Sequence, residues 1–312
     1  MKKDFKNVES ISGRLYQHNL VKKIVQNKES KNFGTEFISG TVDIAVDEEG
    51  LNVIPIHYTY VTAVTSTGKT NATYKTLESI IDGAKAWITD GKDVALKVRA
   101  NTALALNDFY NQNDELVSAK RNEGGFLNTI NELPPEAERA TFSVDMVITS
   151  VTRIEAEDEN AEDFVRIKGD IFNFRKALLP VELICRDEQG MGYFESIDAS
   201  PAEPVFTEVR GNVVSNTIKR EIEEESAFGS ASVKTVTRTV REWQVTWARP
   251  TEYVFGEEDT ITAEELKQAM QDRQVYLAEV KKRADDYKAS RAASQTSSKT
   301  TTNNVPEGGF DF

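Results

Sequence analysis

The sequence predicts a mainly β protein, in which two β-rich units are followed by a C-terminal α-helix and a disordered tail. Two observations predict this class. Between residues 37 and 255, short stretches rich in Val, Ile, Thr, Phe and Tyr alternate with clusters of Gly, Asn, Asp and Pro, as is typical of β-sandwiches and barrels. The chain has 312 residues, which is long for one compact domain and sufficient for two hydrophobic cores.

Six of the stretches have the composition expected of β-strands. They are residues 41–45, 52–62, 94–106, 142–154, 164–174 and 243–247. Between the second and the third of them, apolar residues from 77 to 88 recur at intervals of three and four positions. This periodicity predicts a short helix within the first unit.

Several short patterns occur twice and in the same order, which indicates an internal duplication. The pairs are Gly40 with Gly169, residues 98–101 with 209–212, 123–126 with 225–228, and 142–146 with 243–247. We therefore expect a first unit at residues 33–135 and a second at 136–256. Residues 1–32 are assigned to an N-terminal segment.

The character of the sequence changes to helical after Gly256, and we expect a helix within residues 257–293. Thr262 and Glu265 have the spacing of a capping box at its start. An apolar stripe follows, which we expect to pack on the second unit; it consists of Leu266, Met270, Leu277, Val280, Ala284 and Tyr287. Residues 294–312 are rich in Ser, Thr and Asn and are predicted to be disordered.

Composition favours a cytoplasmic protein and leaves nucleic-acid binding open. The single cysteine, Cys185, allows no disulfide framework, and neither a secretion signal nor an apolar membrane span is found in the sequence. The formal net charge of −13 opposes nucleic acid at long range. However, acidic residues are concentrated at 155–163, 221–225 and 257–259, so basic residues dominate elsewhere.

The sequence contains no recognisable catalytic or metal-binding motif. The two histidines, His18 and His57, have no neighbours at metal-ligand spacing. Residues 68–70 resemble the end of a phosphate-binding loop, but Ala63 stands where that motif needs glycine. We therefore predict a binding protein that is not an enzyme and uses neither metal nor cofactor. A hydrolase with an unrecognised active site is a further hypothesis, ranked below the two binding and assembly functions given at the end of this subsection.

Two predicted strands carry rings and cations on one face. Bases stack on aromatic rings while Lys and Arg neutralise the backbone, so this combination is suited to single-stranded nucleic acid. The predicted contacts are Lys97, Arg99, Asn101, Phe109, Phe164, Arg166, Lys168, Phe172, Phe174 and Arg210. The alternative is that these rings pack between the two units.

The C-terminal tip, with Phe310, Asp311 and Phe312 after a polar linker, resembles the tails of bacterial and phage single-stranded DNA-binding proteins. Residues 37–248, including 107–110, 122–126 and 224–228, resemble the tandem-barrel single-stranded DNA-binding proteins of phages that infect Gram-positive bacteria. This similarity implies a fold of two tandem OB-like barrels; alternating strands alone fit a sandwich equally well.

The resemblance also implies a function. A protein of this kind coats and protects single-stranded DNA in phage DNA replication or recombination, in the host bacterial cytoplasm. It recruits replication or recombination proteins through the tip, which here is Phe310, Asp311 and Phe312. The alternative function is that of a phage structural or assembly protein built from β domains.

Overall fold

A computed structural model of the chain describes residues 5–65, 67–156, 162–224, 232–250, 252–256 and 260–299, with the backbone alone for 218–224, 232–238 and 292–299. The protein is mainly β, as predicted. Its strands are β1 (Asn7–His18), β2 (Val21–Ile24), β3 (Glu36–Ala45), β4 (Val53–Thr62), β5 (Lys97–Tyr110), β6 (Leu116–Thr129), β7 (Ala140–Ile154), β8 (Phe164–Phe172), β9 (Leu178–Cys185), β10 (Val205–Glu224) and β11 (Ser232–Ala248). The helices are α1 (Ala72–Ile81), α2 (Trp87–Asp90), α3 (Glu188–Glu195) and α4 (Ala263–Lys299).

In the first unit, five strands form a circuit of pairings in the order β1, β3, β4, β6, β5 and back to β1. All pairings are antiparallel except the one between β4 and β6. That parallel contact is short and joins Ile56 to Asn122 and His57 to Glu123. Helices α1 and α2 lie between β4 and β5 in the chain, so the helix expected at 77–88 is found as two shorter ones.

The second unit repeats this arrangement. Its circuit runs β7, β8, β9, β11, β10 and back to β7, with one parallel pair between Ile184 of β9 and Gln244 of β11. Helix α3 takes the place of α1, between the third and fourth strands. Strands β10 and β11 pair as far as Glu224 and Ser232, which makes a long hairpin.

Strand β1 belongs to both units. Residues Asn7 to Ile11 pair with β7, Glu9 to Arg14 pair with β5, and Arg14 to His18 pair with β3. The N-terminal segment 1–32 of the sequence interpretation therefore contains the central strand of the molecule. Strand β1 was not predicted, because its alternation of apolar and polar residues does not stand out from the polar residues on either side of it.

The proposed duplication agrees with the structure only in part. Gly40 and Gly169 lie in the equivalent strands β3 and β8, and residues 98–101 and 209–212 lie in the equivalent strands β5 and β10. In contrast, residues 142–146 belong to β7, the first strand of the second unit, whereas 243–247 belong to its last strand. That fourth match was wrong. The third, with 225–228, lies outside the described residues.

Helix α4 begins as predicted and then departs from the expected stripe. Glu265 N donates to Thr262 Oγ1 at 3.2 Å and Thr262 N donates to Glu265 Oε2 at 3.0 Å, which forms the capping box. The buried side chains are Leu266, Ala269, Arg273 and Val280, whereas Met270 and Tyr287 of the predicted stripe are exposed. The helix also continues to Lys299 instead of ending at 293.

Two apolar clusters hold the protein together. The larger is continuous through both units and includes Ile11 of the shared strand and the buried Cys185. The smaller one lies under the start of α4 and consists of Val147, Phe172, Leu178, Phe206, Ile261, Leu266 and Ala269. Helix α4 is thus anchored on the second unit.

Candidate functional site

A groove of about 2050 Å³ crosses the face of the molecule, and both units and α4 contribute to it. The first unit supplies residues 58–61 of β4, 101–106 of β5 and 123–126 of β6. The second unit supplies residues 173–179 around the β8–β9 turn together with parts of β10 and β11. A ligand in this groove would therefore contact both units at once.

The groove is lined with accessible aromatic rings. Their exposed fractions are 42% for Tyr60, 68% for Phe126, 86% for Phe174, 39% for Trp247 and 40% for Tyr276. Aromatic side chains usually bury most of their surface when they serve the core. Five exposed rings along one concave surface offer flat apolar faces to a ligand.

Cations accompany these rings. The Arg210 guanidinium lies 4.2 Å from the Trp247 ring centroid, and that of Arg175 lies 5.2 Å from the Phe174 ring centroid. Arg210 also contacts Glu208 at 2.7 Å. Arg175 and Lys176 make no ion pair with any described residue, so their charges are available to an anion.

A bulge in β6 presents Phe126 to the groove. In the pairing of β5 with β6, Asn101 is opposite Phe126 and Thr102 is opposite Gly124, so Gly125 is the extra residue. A Cβ at Gly124 would lie 2.4 Å from the Tyr58 ring, and one at Gly125 would lie 2.6 Å from the Asn101 carbonyl oxygen. Only glycine allows β6 to approach this closely.

The floor of the groove contains a buried carboxyl group. Thr102 Oγ1 donates to Glu9 Oε2 at 2.6 Å, while Glu9 Oε1 has no hydrogen-bond partner among the described residues. Burial raises the pKa of Glu9 to about 8, although the Thr102 hydroxyl opposes this shift. With Glu9 neutral at pH 7, the described residues that line the groove include five cations and three carboxylates, whereas the chain as a whole has a net charge of −13.

Helix α4 is joined to the first unit beside the groove. Arg273 forms two hydrogen bonds to Asp108 of β5, at 2.7 and 2.8 Å. The two side chains are only 7% and 1% exposed, so the charges are buried as a bidentate pair. Asp170 lies nearby, and burial raises its pKa to about 6 while Arg273 lowers it.

Three of the ten predicted nucleic-acid contacts line the groove, namely Asn101, Phe174 and Arg210. Phe172 does not, because it is fully buried and its ring stacks on Phe5 with centroids 4.3 Å apart. Its placement on an exposed face was wrong. The face of β8 that carries Phe172 is accessible at the start of the strand, up to Lys168. At the end of the strand α4 covers this face, and Phe172 packs in the smaller cluster.

The other six predicted contacts lie outside the groove. Lys97 donates to the Asn131 carbonyl and Arg99 donates to Ser12 Oγ, both within the first unit. The guanidinium groups of Arg166 and Arg186 lie 6.0 and 5.0 Å from the Phe164 ring centroid, on another face. The two remaining residues, Lys168 and Phe109, are exposed elsewhere.

Sequence reasoning missed several groove residues. The sequence patterns include Phe126 and Trp247 only as repeat positions and do not single out Tyr60, Arg175 or Lys176. Phe126 directly follows Gly125, and Arg175 and Lys176 directly follow Phe174, so a signal was available for these residues. Tyr60 and Trp247 have neither a glycine nor a cation beside them in the sequence. The tip residues Phe310, Asp311 and Phe312 lie outside the described residues.

Within the described ranges, no helix is both long and apolar enough to cross a membrane. Nor do the His, Cys, Asp and Glu side chains of those ranges gather in groups of three or more that would hold a metal ion.

A search of curated proteins finds no match to the chain. Among solved structures, a deletion mutant of the single-stranded DNA-binding protein from Thermus aquaticus is similar over 81% of this chain and 98% of its own, with 10% identity and a TM-score of 0.46. These values are too low to support an argument about function. A comparison with protein families matches residues 7–283 to YorF. This match covers most of the sequence, and the chain therefore belongs to the YorF family.

Proposed function

We propose that this protein binds single-stranded DNA in the groove, without catalysing a reaction. The observation that carries the proposal is the presence of five exposed rings with nearby cations on one concave surface. Unpaired bases stack on aromatic faces regardless of sequence, and cations such as Arg175 and Lys176 attract the phosphates. Paired bases in duplex DNA are already stacked and do not present these faces.

We propose further that the two units are OB-like barrels. In each unit the third and fifth strands are parallel neighbours, and a helix lies between the third and fourth strands. A five-stranded, partly open barrel of this kind is a common scaffold for binding oligonucleotides. The short parallel contacts are consistent with the partly open form.

The biological setting is a proposal that rests on the sequence resemblance alone. It places the protein in the replication or recombination of phage DNA in the host cytoplasm, where it protects single strands. In this proposal Phe310, Asp311 and Phe312 recruit replication or recombination proteins.

The function can be tested with a labelled oligothymidine and fluorescence anisotropy at low salt. We expect the wild-type protein to bind it much more tightly than a duplex, with an affinity that falls as salt rises. Phe174→Ala and Trp247→Ala should each weaken binding by about 5- to 100-fold, since stacking contributes roughly 1–3 kcal/mol per base.

Phe33→Ala is the matched control, because Phe33 is 53% exposed but lies outside the groove. This variant should bind as the wild type does. Equal affinity for duplex and single strand, or no binding of either, would contradict the proposal.

A further inference from the structure

We infer that α4 is a wall of the DNA groove that contacts the bases, with Tyr276 as its stacking side chain. This inference rests on the proposed function and extends it to an element for which packing is the ordinary role. It assigns to the C-terminal helix a part in ligand binding, in addition to its contacts with the two units.

The course of α4 brings it to the groove. Its first turns, with Leu266 and Ala269, pack in the smaller cluster on the second unit. Arg273 then pairs with Asp108 of β5, and Lys281 Nζ contacts Asp114, at the tip of the β5–β6 hairpin, at 2.8 Å. The helix thus crosses from the second unit to the first, and along this course Ala269, Asp272, Arg273 and Tyr276 line the groove.

Tyr276 belongs to neither apolar cluster and is 40% exposed. The Arg273 guanidinium lies 5.3 Å from its ring centroid, and Asp108 holds that guanidinium through two hydrogen bonds. The Tyr276 ring therefore lies against the side chain of Arg273, which is itself fixed by two hydrogen bonds. A platform held in this way loses little freedom when a base stacks on it.

The charges of this wall favour bases over phosphates. Arg273 is neutralised by Asp108. Among the described side chains of α4, the one other charged residue that lines the groove is Asp272, which accepts a hydrogen bond from Gln268. Asp272 repels phosphate. Arg175 and Lys176, which pair with no acidic residue in the described parts of the chain, lie at the β8–β9 turn. The DNA backbone is therefore drawn to that turn, and the bases are left to face α4.

Tyr287 provides a matched control on the same helix. It is also a tyrosine and is 66% exposed, but it lies outside the groove. We expect Tyr276→Ala to weaken oligothymidine binding by about 5- to 100-fold, while Tyr276→Phe keeps near wild-type affinity and Tyr287→Ala has no effect. Thermal unfolding should occur at the same temperature in all four proteins.

A second measurement uses the wild-type protein and so does not depend on the folding of any variant. It is ultraviolet crosslinking to a thymidine oligonucleotide, followed by peptide mapping. Crosslinks at Tyr276 support the inference even if Tyr276→Ala proves unstable. If the wild type binds but crosslinks only to the strands, or if the Tyr276→Ala and Tyr287→Ala variants bind equally, the inference is overturned while the proposed function stands. Failure of the wild type to bind single strands would remove both.

Discussion

At the scale of single residues, Glu9 explains how a strongly acidic chain avoids a negative charge beneath its groove. The carboxyl is 2% exposed and lies between β5 and β7, opposite Thr102 and Phe142. If Glu9 ionised at this buried position, its carboxylate would lose the hydration that it has in water. The hydrogen bond from the Thr102 hydroxyl would compensate for part of this loss. The folded protein therefore keeps Glu9 neutral at pH 7 and is destabilised relative to an unfolded chain that is free to ionise.

Glu9→Gln should consequently stabilise the protein, in a manner that depends on pH. The pKa of Glu9 is raised from 4.5 to about 8 in the folded state, so folding binds a proton between these values and stability falls as pH rises through this window. We expect no difference between variant and wild type at pH 4 and an advantage of up to about 3 kcal/mol at pH 7. Urea unfolding of both proteins across this pH range measures the difference in stability, and equal stabilities throughout would show that folding does not raise the pKa of Glu9.

Phe172 and Phe174 provide a second contrast at this scale, since they are two positions apart and are 0% and 86% exposed. Phe172→Ala should lower the free energy of unfolding by roughly 3–5 kcal/mol, because it leaves a cavity under α4. Phe174→Ala should change it by less than about 0.5 kcal/mol. Denaturant unfolding of both variants checks this, and a large loss for Phe174→Ala would mean that its ring packs in solution.

At the scale of elements, strands were predicted well wherever alternation was maintained over many residues. All six predicted strands lie largely within observed ones. The exposure of their faces was not predictable in the same way, because alternation separates the two faces of a strand without saying what covers each. In β8, one face is core along its whole length, while the other is core only where α4 crosses it.

Helix α4 illustrates the same limit. Its capping box was found from local chemistry, since a cap involves residues three positions apart. Its buried face was predicted only in part: Leu266 and Val280 are buried as expected, but Arg273 occupies a central buried position. Nothing near Arg273 in the sequence indicates its partner Asp108, which is 165 positions away. Groove residues were missed for this reason too: Tyr60, Phe126 and Tyr276 meet only through the tertiary fold.

At the scale of the whole molecule, the two units are joined more closely than a tandem arrangement suggests. Strand β1 pairs with strands of both units. In addition, Thr217 N donates to the Leu51 carbonyl at 2.8 Å, and Ser215 N donates to Asn52 Oδ1 at 2.9 Å, which ties β10 to the first unit. One apolar cluster runs through both.

We therefore predict that the units unfold together. Calorimetry of the full chain should give a single transition, with a calorimetric enthalpy equal to the van't Hoff enthalpy. Two resolved transitions, or a van't Hoff enthalpy near half the calorimetric one, would mean that the shared strand does not couple the units.

Under the proposed function, the exposure of the groove rings has a consequence for the shape of the DNA that the protein can bind. Phe126 and Phe174 are 68% and 86% exposed, so a strand that stacks on them approaches from the side and need not be threaded in by an end. Covalently closed circles and single-stranded gaps between duplex regions are thus as accessible as a linear oligonucleotide. On the same proposal, successive molecules need no free DNA end and can bind any vacant single-stranded stretch.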